Sequence, residues 1–159
     1  MKKYCDNCRK EVEIKKVIRE EKYSIRGEVI DIQAYVLICL NCNQEIFSEK
    51  IDSEITEQAF AEYRKRHGLL SPAEIRQIRE MYDLSQRSFC KLLNWGDKTI
   101  YRYESGAIQD EIHNDLLLIL RDPLQMKKYL EKNANLLPAR QVSQLIDTIN
   151  ALIRKDKPK

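Results

Sequence analysis

The spacing of hydrophobic positions changes near residue 51. Before that point, apolar and polar residues alternate along much of 12–47, and a period of two predicts β-strands. The clearest strand has one face formed by Ile30, Ile32, Ala34, Val36 and Ile38 and another formed by Asp31, Gln33 and Tyr35. Shorter strands are predicted at 11–17, 23–28 and 44–47, and Gly27 should break or bulge the second of them.

From residue 51 onward, hydrophobic residues recur every three to four positions, which predicts helices. The run Ser71-Pro72-Ala73-Glu74 has the pattern of a capping box, Asp97 can cap a short helix, and Gly68 suits a left-handed helix end. The predicted helices cover 53–66, 72–82, 86–93, 98–104, 111–121, 124–132 and 138–155. The end of the chain at 155–159 should be frayed.

These elements predict an α+β fold with a small β-rich domain at 1–50 and an all-α domain at 71–122. The helix within 51–70 is interpreted as a linker, with the first element of the helical domain as the alternative. The extra C-terminal helices at 123–159 are interpreted as a dimerisation element or as the lead-in to a further domain of a longer protein.

Length and composition exclude a membrane protein. The chain has 159 residues, of which 43% are hydrophobic and 33% are charged. Its longest apolar runs, at 35–40 and 116–120, are too short to span a bilayer. No apolar stretch follows the lysines at positions 2 and 3, so no signal peptide is predicted and a cytoplasmic protein is expected.

The net charge of +3 is distributed unevenly. Residues 1–70 carry 13 basic and 13 acidic side chains, residues 71–122 carry 7 and 9, and residues 123–159 carry 8 and 3. Overall charge would therefore place a polyanionic partner at the C-terminal end. DNA binding by residues 71–122 would therefore depend on a local group of basic side chains.

Four of the five cysteines form two Cys-x-x-Cys pairs, Cys5 with Cys8 and Cys39 with Cys42. This spacing is typical of two knuckles that complete a closed tetrahedral site for structural Zn²⁺. A domain of about 50 residues has a small core, and bound zinc would supply folding energy. Iron, a redox dithiol and four unrelated buried thiols are the alternatives. The fifth cysteine, Cys90, is interpreted as a small packing residue.

The helices predicted at 86–93 and 98–104 have the features of a DNA-reading pair. Such a pair needs a small residue where the helices cross, a residue that tolerates positive φ in the turn, and an apolar residue that closes the turn. Cys90, Asn94 and Trp95 meet these needs in that order. The second helix is polar on one side, and Ile100 and Tyr103 would anchor its other side.

The candidate contacts to double-stranded DNA share a polar or cationic side chain on this helix pair. They are Gln86, Arg87, Lys91, Lys98, Thr99, Tyr101 and Arg102. Gln86 at a helix start could hold a phosphate, and the second helix could reach base edges and phosphates. Four of these residues are cations within 16 positions, opposed only by Asp97. The alternative is a helical bundle whose charges are merely solvated.

A family resemblance accompanies these residues. The run from Leu84-Ser85-Gln86 through Leu93-Asn94 to Thr99–Gly106 resembles the phage-repressor (Xre/Cro) type of helix-turn-helix. Joined to the two cysteine pairs, it resembles the MqsA family of antitoxins. The resemblance implies an N-terminal zinc domain that can bind a toxin and a C-terminal domain that dimerises and represses an operon. It also implies that Lys98 and Arg102 read bases.

The sequence therefore predicts a transcriptional repressor that is the antitoxin of a type II toxin–antitoxin system. It should bind a palindromic operator as a homodimer, because one short helix reads only a half-site. The alternative is a zinc-dependent protein-interaction adaptor whose helical part only dimerises. An enzyme is not predicted, since no phosphate loop or Ser/His/Asp set is visible. His67 and His113 are interpreted as structural.

Overall fold

The computed structural model of the chain describes residues 1–155. It divides into two compact units, Met1–His67 and Gly68–Lys159. The first contains an antiparallel sheet and one helix, and the second contains six α-helices, so the predicted α+β class is confirmed. The fraying expected beyond residue 155 lies outside the described residues.

Four antiparallel strands form the sheet in the order β1-β2-β3-β4. Their bounds are Lys2–Cys5 for β1, Lys10–Ile25 for β2, Glu28–Cys39 for β3 and Glu45–Ile46 for β4. The strand β1 was not predicted, and β2 is one long strand where the pattern predicted two. The short strand expected near 44–47 is present as β4.

The long hairpin of β2 and β3 turns at Arg26 and Gly27. Both residues have positive φ, 51° and 84°, as the tight two-residue turn of a twisted hairpin requires. The interpretation of Gly27 as a break or bulge within a strand is therefore wrong. The glycine lies in the turn itself, where it reverses the chain.

Helix α1, Glu49–His67, packs on one face of β3. Its buried Ile55, Ala59 and Tyr63 meet the apolar face of the strand, in which Ile30 and Ala34 are fully buried. At its C-terminal end, Arg66 and His67 contact Glu28 at the hairpin tip. The helix predicted as a linker thus begins four residues earlier than expected and lies within the first unit.

The second unit is built from short helices joined by tight turns. They are α2 Pro72–Met81, α3 Gln86–Leu92, α4 Thr99–Glu104, α5 Glu111–Leu120, α6 Pro123–Asn133 and α7 Ala139–Lys155. The predicted capping box starts α2. The Ser71 hydroxyl accepts a hydrogen bond from the Glu74 N–H, and the Glu74 carboxylate accepts one from the Ser71 N–H.

One hydrophobic cluster runs through the whole second unit. Ile75, Phe89 and Ile100 lie in it together with residues of the two last helices, including Met126 and Leu145. The C-terminal helices are therefore part of this unit's core. No helix within the described residues is long and apolar enough to cross a membrane.

Candidate metal centre and nucleic-acid interface

The four cysteines of the two Cys-x-x-Cys pairs come together at one end of the sheet. Their Sγ atoms all lie within 4.8 Å of one another. The distance is 3.7 Å from Cys5 to Cys42 and 3.9 Å from Cys8 to Cys39. A tetrahedral ion with Zn–S bonds of about 2.3 Å would separate its sulfur ligands by similar distances. The four sulfurs are thus positioned to bind one metal ion.

Local backbone geometry shapes both knuckles. Each pair is followed by a residue with positive φ, Arg9 at 52° and Asn43 at 57°, which turns the chain back. The backbone N–H of Asn41 donates to Cys39 Sγ at 3.3 Å, and its side-chain amide donates to Cys8 Sγ at 3.2 Å. These donors favour the thiolate forms that a metal needs.

Hydrogen bonds shift the pKa values of Cys8 and Cys42 in opposite directions. A side-chain hydrogen bond with Asn7 and a backbone hydrogen bond at Gln44 lower the pKa of Cys42 to about 6. Asn41 acts in the same direction on Cys8, but hydrogen bonds with the other three thiols and burial raise the pKa of Cys8 to about 11. Of these two thiols, Cys42 is the one that ionises at the lower pH.

The donor set decides what such a centre can do. Four cysteine ligands fill the positions of a tetrahedral ion and leave none for water or a substrate. The cysteines pack with Val12, Ile14 and Ile46 in a small apolar cluster. A metal held here would join β1 to the end of β3 and stabilise the fold.

In the second unit, α3 and α4 cross closely at Cys90. This residue is fully buried, and its Sγ lies 3.4 Å from the backbone nitrogen of Ile100. Asn94 in the turn has a φ of +56°, as predicted for it. The N–H of Trp95 donates to the Cys90 carbonyl at 2.9 Å and closes the turn.

The start of α4 differs from the expectation. Lys98 is the residue that precedes the helix, and its own side chain makes no capping hydrogen bond, whereas Cys90 Sγ accepts one from the N–H of Ile100 in the first turn. The predicted cap at Asp97 is therefore wrong. The N–H of Thr99 instead bonds to the carbonyl of Gly96 at 2.9 Å.

Most of the predicted DNA contacts lie on the surface of this helix pair. The exposed ones are Arg87, Lys91, Lys98, Tyr101 and Arg102, whereas Thr99 is half-buried. Gln86 is also half-buried, and its amide nitrogen donates to Glu104 at 2.7 Å. Ile100 and Tyr103 are buried and fix α4 from behind.

A buried ion pair that the sequence did not indicate holds α4 against α2. Only 1% of the Glu104 side chain is exposed, and Arg79 binds its two oxygens at 2.6 and 3.0 Å. Arg79 also donates to the carbonyl of Leu84 at 2.8 Å. Burial alone would raise the pKa of Glu104, but the bonds from Arg79 and Gln86 outweigh it and lower that pKa.

An aromatic cluster connects α5 to the same region. The His113 ring stacks on Trp95 with 3.8 Å between centroids, and its Nδ1 lies 2.7 Å from the hydroxyl of Tyr103. His113 therefore has the structural setting expected for it. Charged and polar residues in helices usually face solvent, so periodicity alone did not indicate either of these contacts.

Comparison with known families identifies the chain. Residues 1–132 match the family described as the antitoxin component of a bacterial toxin–antitoxin system, MqsA. The chain belongs to the MqsA antitoxin family. The match includes the sheet, the four cysteines and α2–α5. A comparison with curated proteins finds no match. MqsA antitoxins are regulatory proteins.

Proposed function

We propose that this MqsA-family protein is a sequence-specific transcriptional repressor that uses α4 as its DNA-reading helix. The observation that carries the proposal is the arrangement of α4. Tyr101 and Arg102 are exposed on this short helix, with 57% of Tyr101 open to solvent, and the exposed Lys98 directly precedes it. The buried side of that helix is fixed by the core and by the Glu104 ion pair. Rigid presentation of polar side chains is what base reading in a major groove requires.

The proposed contacts divide by chemistry. Arg102 and Lys98 are assigned to base edges, with Thr99 and Tyr101 beside them. Arg87 and Lys91 on α3 are assigned to phosphates, which position the protein without reading sequence.

Gln86 is less available for a DNA contact than the exposed residues. Because its amide nitrogen is bonded to Glu104, it would have to release that carboxylate before it could donate to a phosphate. Its phosphate contact stays a prediction.

We assign the metal as Zn²⁺ in a purely structural role. The four-sulfur donor set and the tetrahedral spacing support this assignment, and iron is the alternative ion for the same ligands. The ion would join β1 to the end of β3 in a unit whose core is small, and zinc would supply part of its folding energy.

The repressor is proposed to act as a homodimer on a palindromic operator. One α4 spans only a half-site, so two copies related by a two-fold axis read a palindrome. The exposed apolar side chains of α5 support this helix as the interface, since Ile112 is 81% and Ile119 is 54% exposed. Both helices bury apolar side chains in the core, Leu117 and Leu120 from α5 and Leu145 and Ile149 from α7. The exposed apolar side chain of α7, Ile146, is 40% exposed, less than either isoleucine of α5.

The protein is also proposed to be an antitoxin that acts in the cytoplasm on a protein partner. We propose that the metal-containing unit binds a cognate toxin while the helical unit binds DNA. Family membership supports a toxin partner. The competing proposal is an adaptor whose helical unit only dimerises.

DNA binding separates the two proposals. Arg102→Ala should weaken binding to the promoter fragment upstream of the protein's own gene by about 1–3 kcal/mol, because a base contact is lost. Lys128→Ala removes an exposed cation on α6 and is the charge-matched control, for which little change is expected. Fluorescence anisotropy at two salt concentrations measures both.

If Arg102→Ala and the unmodified chain bind the promoter equally well, the assignment of α4 as the DNA-reading helix is wrong. If the unmodified chain binds the promoter no better than unrelated DNA, the adaptor function is favoured.

A further inference from the structure

The sheet has an open edge along most of β3. Its neighbour β4 pairs only with Leu37 and Ile38. The stretch Val29–Val36 is therefore bonded to β2 on one side and to no strand on the other within the described residues. Unpaired N–H and C=O groups at a sheet edge are a template for an added strand.

The hairpin register shows which backbone groups point outward. The turn at Arg26 and Gly27 makes Ile25 and Glu28 a hydrogen-bonded pair, and bonded and non-bonded pairs alternate from there. The residues whose N–H and C=O groups face the open edge are Val29, Asp31, Gln33 and Tyr35. The carbonyl of Val29 receives a bond from Arg66 at 3.5 Å, so the free template begins at Asp31.

The two open edges of the hairpin differ in charge. Along the exposed part of β2, the stretch 15–22 carries six charged side chains. Charge of this kind protects an edge from pairing with other chains. The stretch 29–36 on β3 carries one, Asp31, and contains no proline. The β3 edge therefore lacks the protection that the β2 edge has.

A groove lies beside the β3 edge, with α1 as its other wall. It has a volume of about 410 Å³ and is lined by Asp31, Ile32 and Gln33 of the strand and by Gln58, Ala61, Glu62 and Lys65 of the helix. The helix residues are spaced as one stripe along α1. The contacts of Arg66 and His67 with Glu28 fix the helix at the hairpin tip. The groove is thus a shallow, open slot between a strand edge and a helix.

We propose that an extended segment of the cognate toxin adds to β3 as a fifth strand and lies in this groove. The inference rests on the proposed antitoxin function and specifies the binding mode. Main-chain hydrogen bonds to Asp31, Gln33 and Tyr35 provide affinity, and the helix stripe provides selectivity. The segment should alternate polar side chains towards α1 with apolar ones beside Val29 and Tyr35, which are exposed on the opposite face.

A second copy of the chain fits this edge less well. Antiparallel pairing of two β3 edges would bring each α1 against the same stripe of its copy. That stripe consists of Gln58, Ala61, Glu62 and Lys65, and charged residues are depleted at the centres of stable interfaces. A toxin strand can enter the slot without a second helix.

Proline substitution tests the edge directly. Gln33 and Glu20 are opposite each other in a pair that shares no backbone bonds, so proline at either position spares the β2–β3 ladder. Gln33→Pro removes an outward N–H from the β3 edge, and Glu20→Pro removes one from the β2 edge. Gln33→Ala removes only the side chain.

Binding is measured by calorimetry with the purified protein encoded by the gene next to this one, using the full chain with its metal. Gln33→Pro should bind about tenfold more weakly or worse, while Glu20→Pro and Gln33→Ala should bind like the unmodified chain. Hydrogen exchange on the unmodified chain is an independent readout. The amides of Asp31, Gln33 and Tyr35 should become protected only in the complex.

Other outcomes overturn the proposal in distinguishable ways. If the unmodified chain binds but Gln33→Pro binds equally well, or the three amides stay unprotected, strand addition is wrong and the antitoxin function stands. Equal loss in Glu20→Pro would show that the effect is not specific to β3. If the unmodified chain does not bind, the antitoxin function fails together with this inference. Protection of the amides in the chain alone would make a second copy the occupant.

Discussion

Removal of the metal should unfold the sheet unit and leave the helical unit folded. Structural zinc supplies an apparent free energy of about 10–16 kcal/mol in zinc-finger peptides. A unit of this size has a core that supplies only about 3–5 kcal/mol by itself. The change is made either with a chelator or by Cys42→Ser, which removes one of the four ligands. We expect the loss to be all or none within residues 1–67, because the cysteines join β1 to β3.

Two signals separate the units in that experiment. The amide proton chemical shifts of residues 1–67 should narrow to the range that is typical of an unfolded chain. Fluorescence of Trp95, the single tryptophan, should change little because it lies in the second unit.

The matched control is Cys90→Ala, which removes the fifth thiol without touching the cluster. It should retain one metal ion per chain, whereas Cys42→Ser should lose it. Folded resonances for residues 1–67 in excess chelator would show that the metal is not a structural requirement.

Breaking the buried ion pair by Glu104→Gln should destabilise the helical unit by about 3–5 kcal/mol. The substitution leaves the largely buried Arg79 guanidinium with only the exposed Glu80 carboxylate, 3.4 Å away, as a charged partner, and removing one member is the costly way to disrupt such a pair. Replacing both residues by apolar ones, Arg79→Met with Glu104→Leu, should recover much of the loss. Urea unfolding followed by Trp95 fluorescence measures all three proteins.

The same pair predicts a pH dependence. Because the folded state lowers the pKa of Glu104, its contribution is fully present above the ordinary glutamate value of about 4.3. It is lost as the pH falls through the lower, folded value. Glu104→Gln should therefore reduce the acid sensitivity of the helical unit. Equal acid sensitivity in the two proteins, or a loss below 1 kcal/mol at neutral pH, would contradict the role given to this pair.

The strands and helices were largely predictable because they bury one face. Alternation along β3 follows from its packing on α1, and the capping residues before α2 specify its first turn locally. The middle of β2 was missed because both of its faces are polar where the hairpin is exposed. Because that polar stretch shows no alternation, the sequence did not reveal that β2 runs without a break to Ile25. Gly27 was therefore placed in a strand and not in the turn that follows β2.

The candidate sites were predictable to different degrees. The metal cluster could be read from sequence, since the spacing within each Cys-x-x-Cys pair is itself the geometric requirement. The Arg79–Glu104 pair could not, because its members are 25 positions apart and each has the spacing of an ordinary surface charge. The missed ion pair also affects Gln86. Its amide donates a hydrogen bond to Glu104, a carboxylate that the spacing of the sequence would place in solvent.

Two copies of α4 are proposed to read a palindrome in the protein's own promoter. Hydroxyl-radical footprinting of the unmodified chain on that promoter tests it most directly. We expect two protected half-sites about 34–36 Å apart on one side of the duplex, with both lost in Arg102→Ala. No protection, a single half-site, or a footprint that Arg102→Ala leaves intact would contradict it.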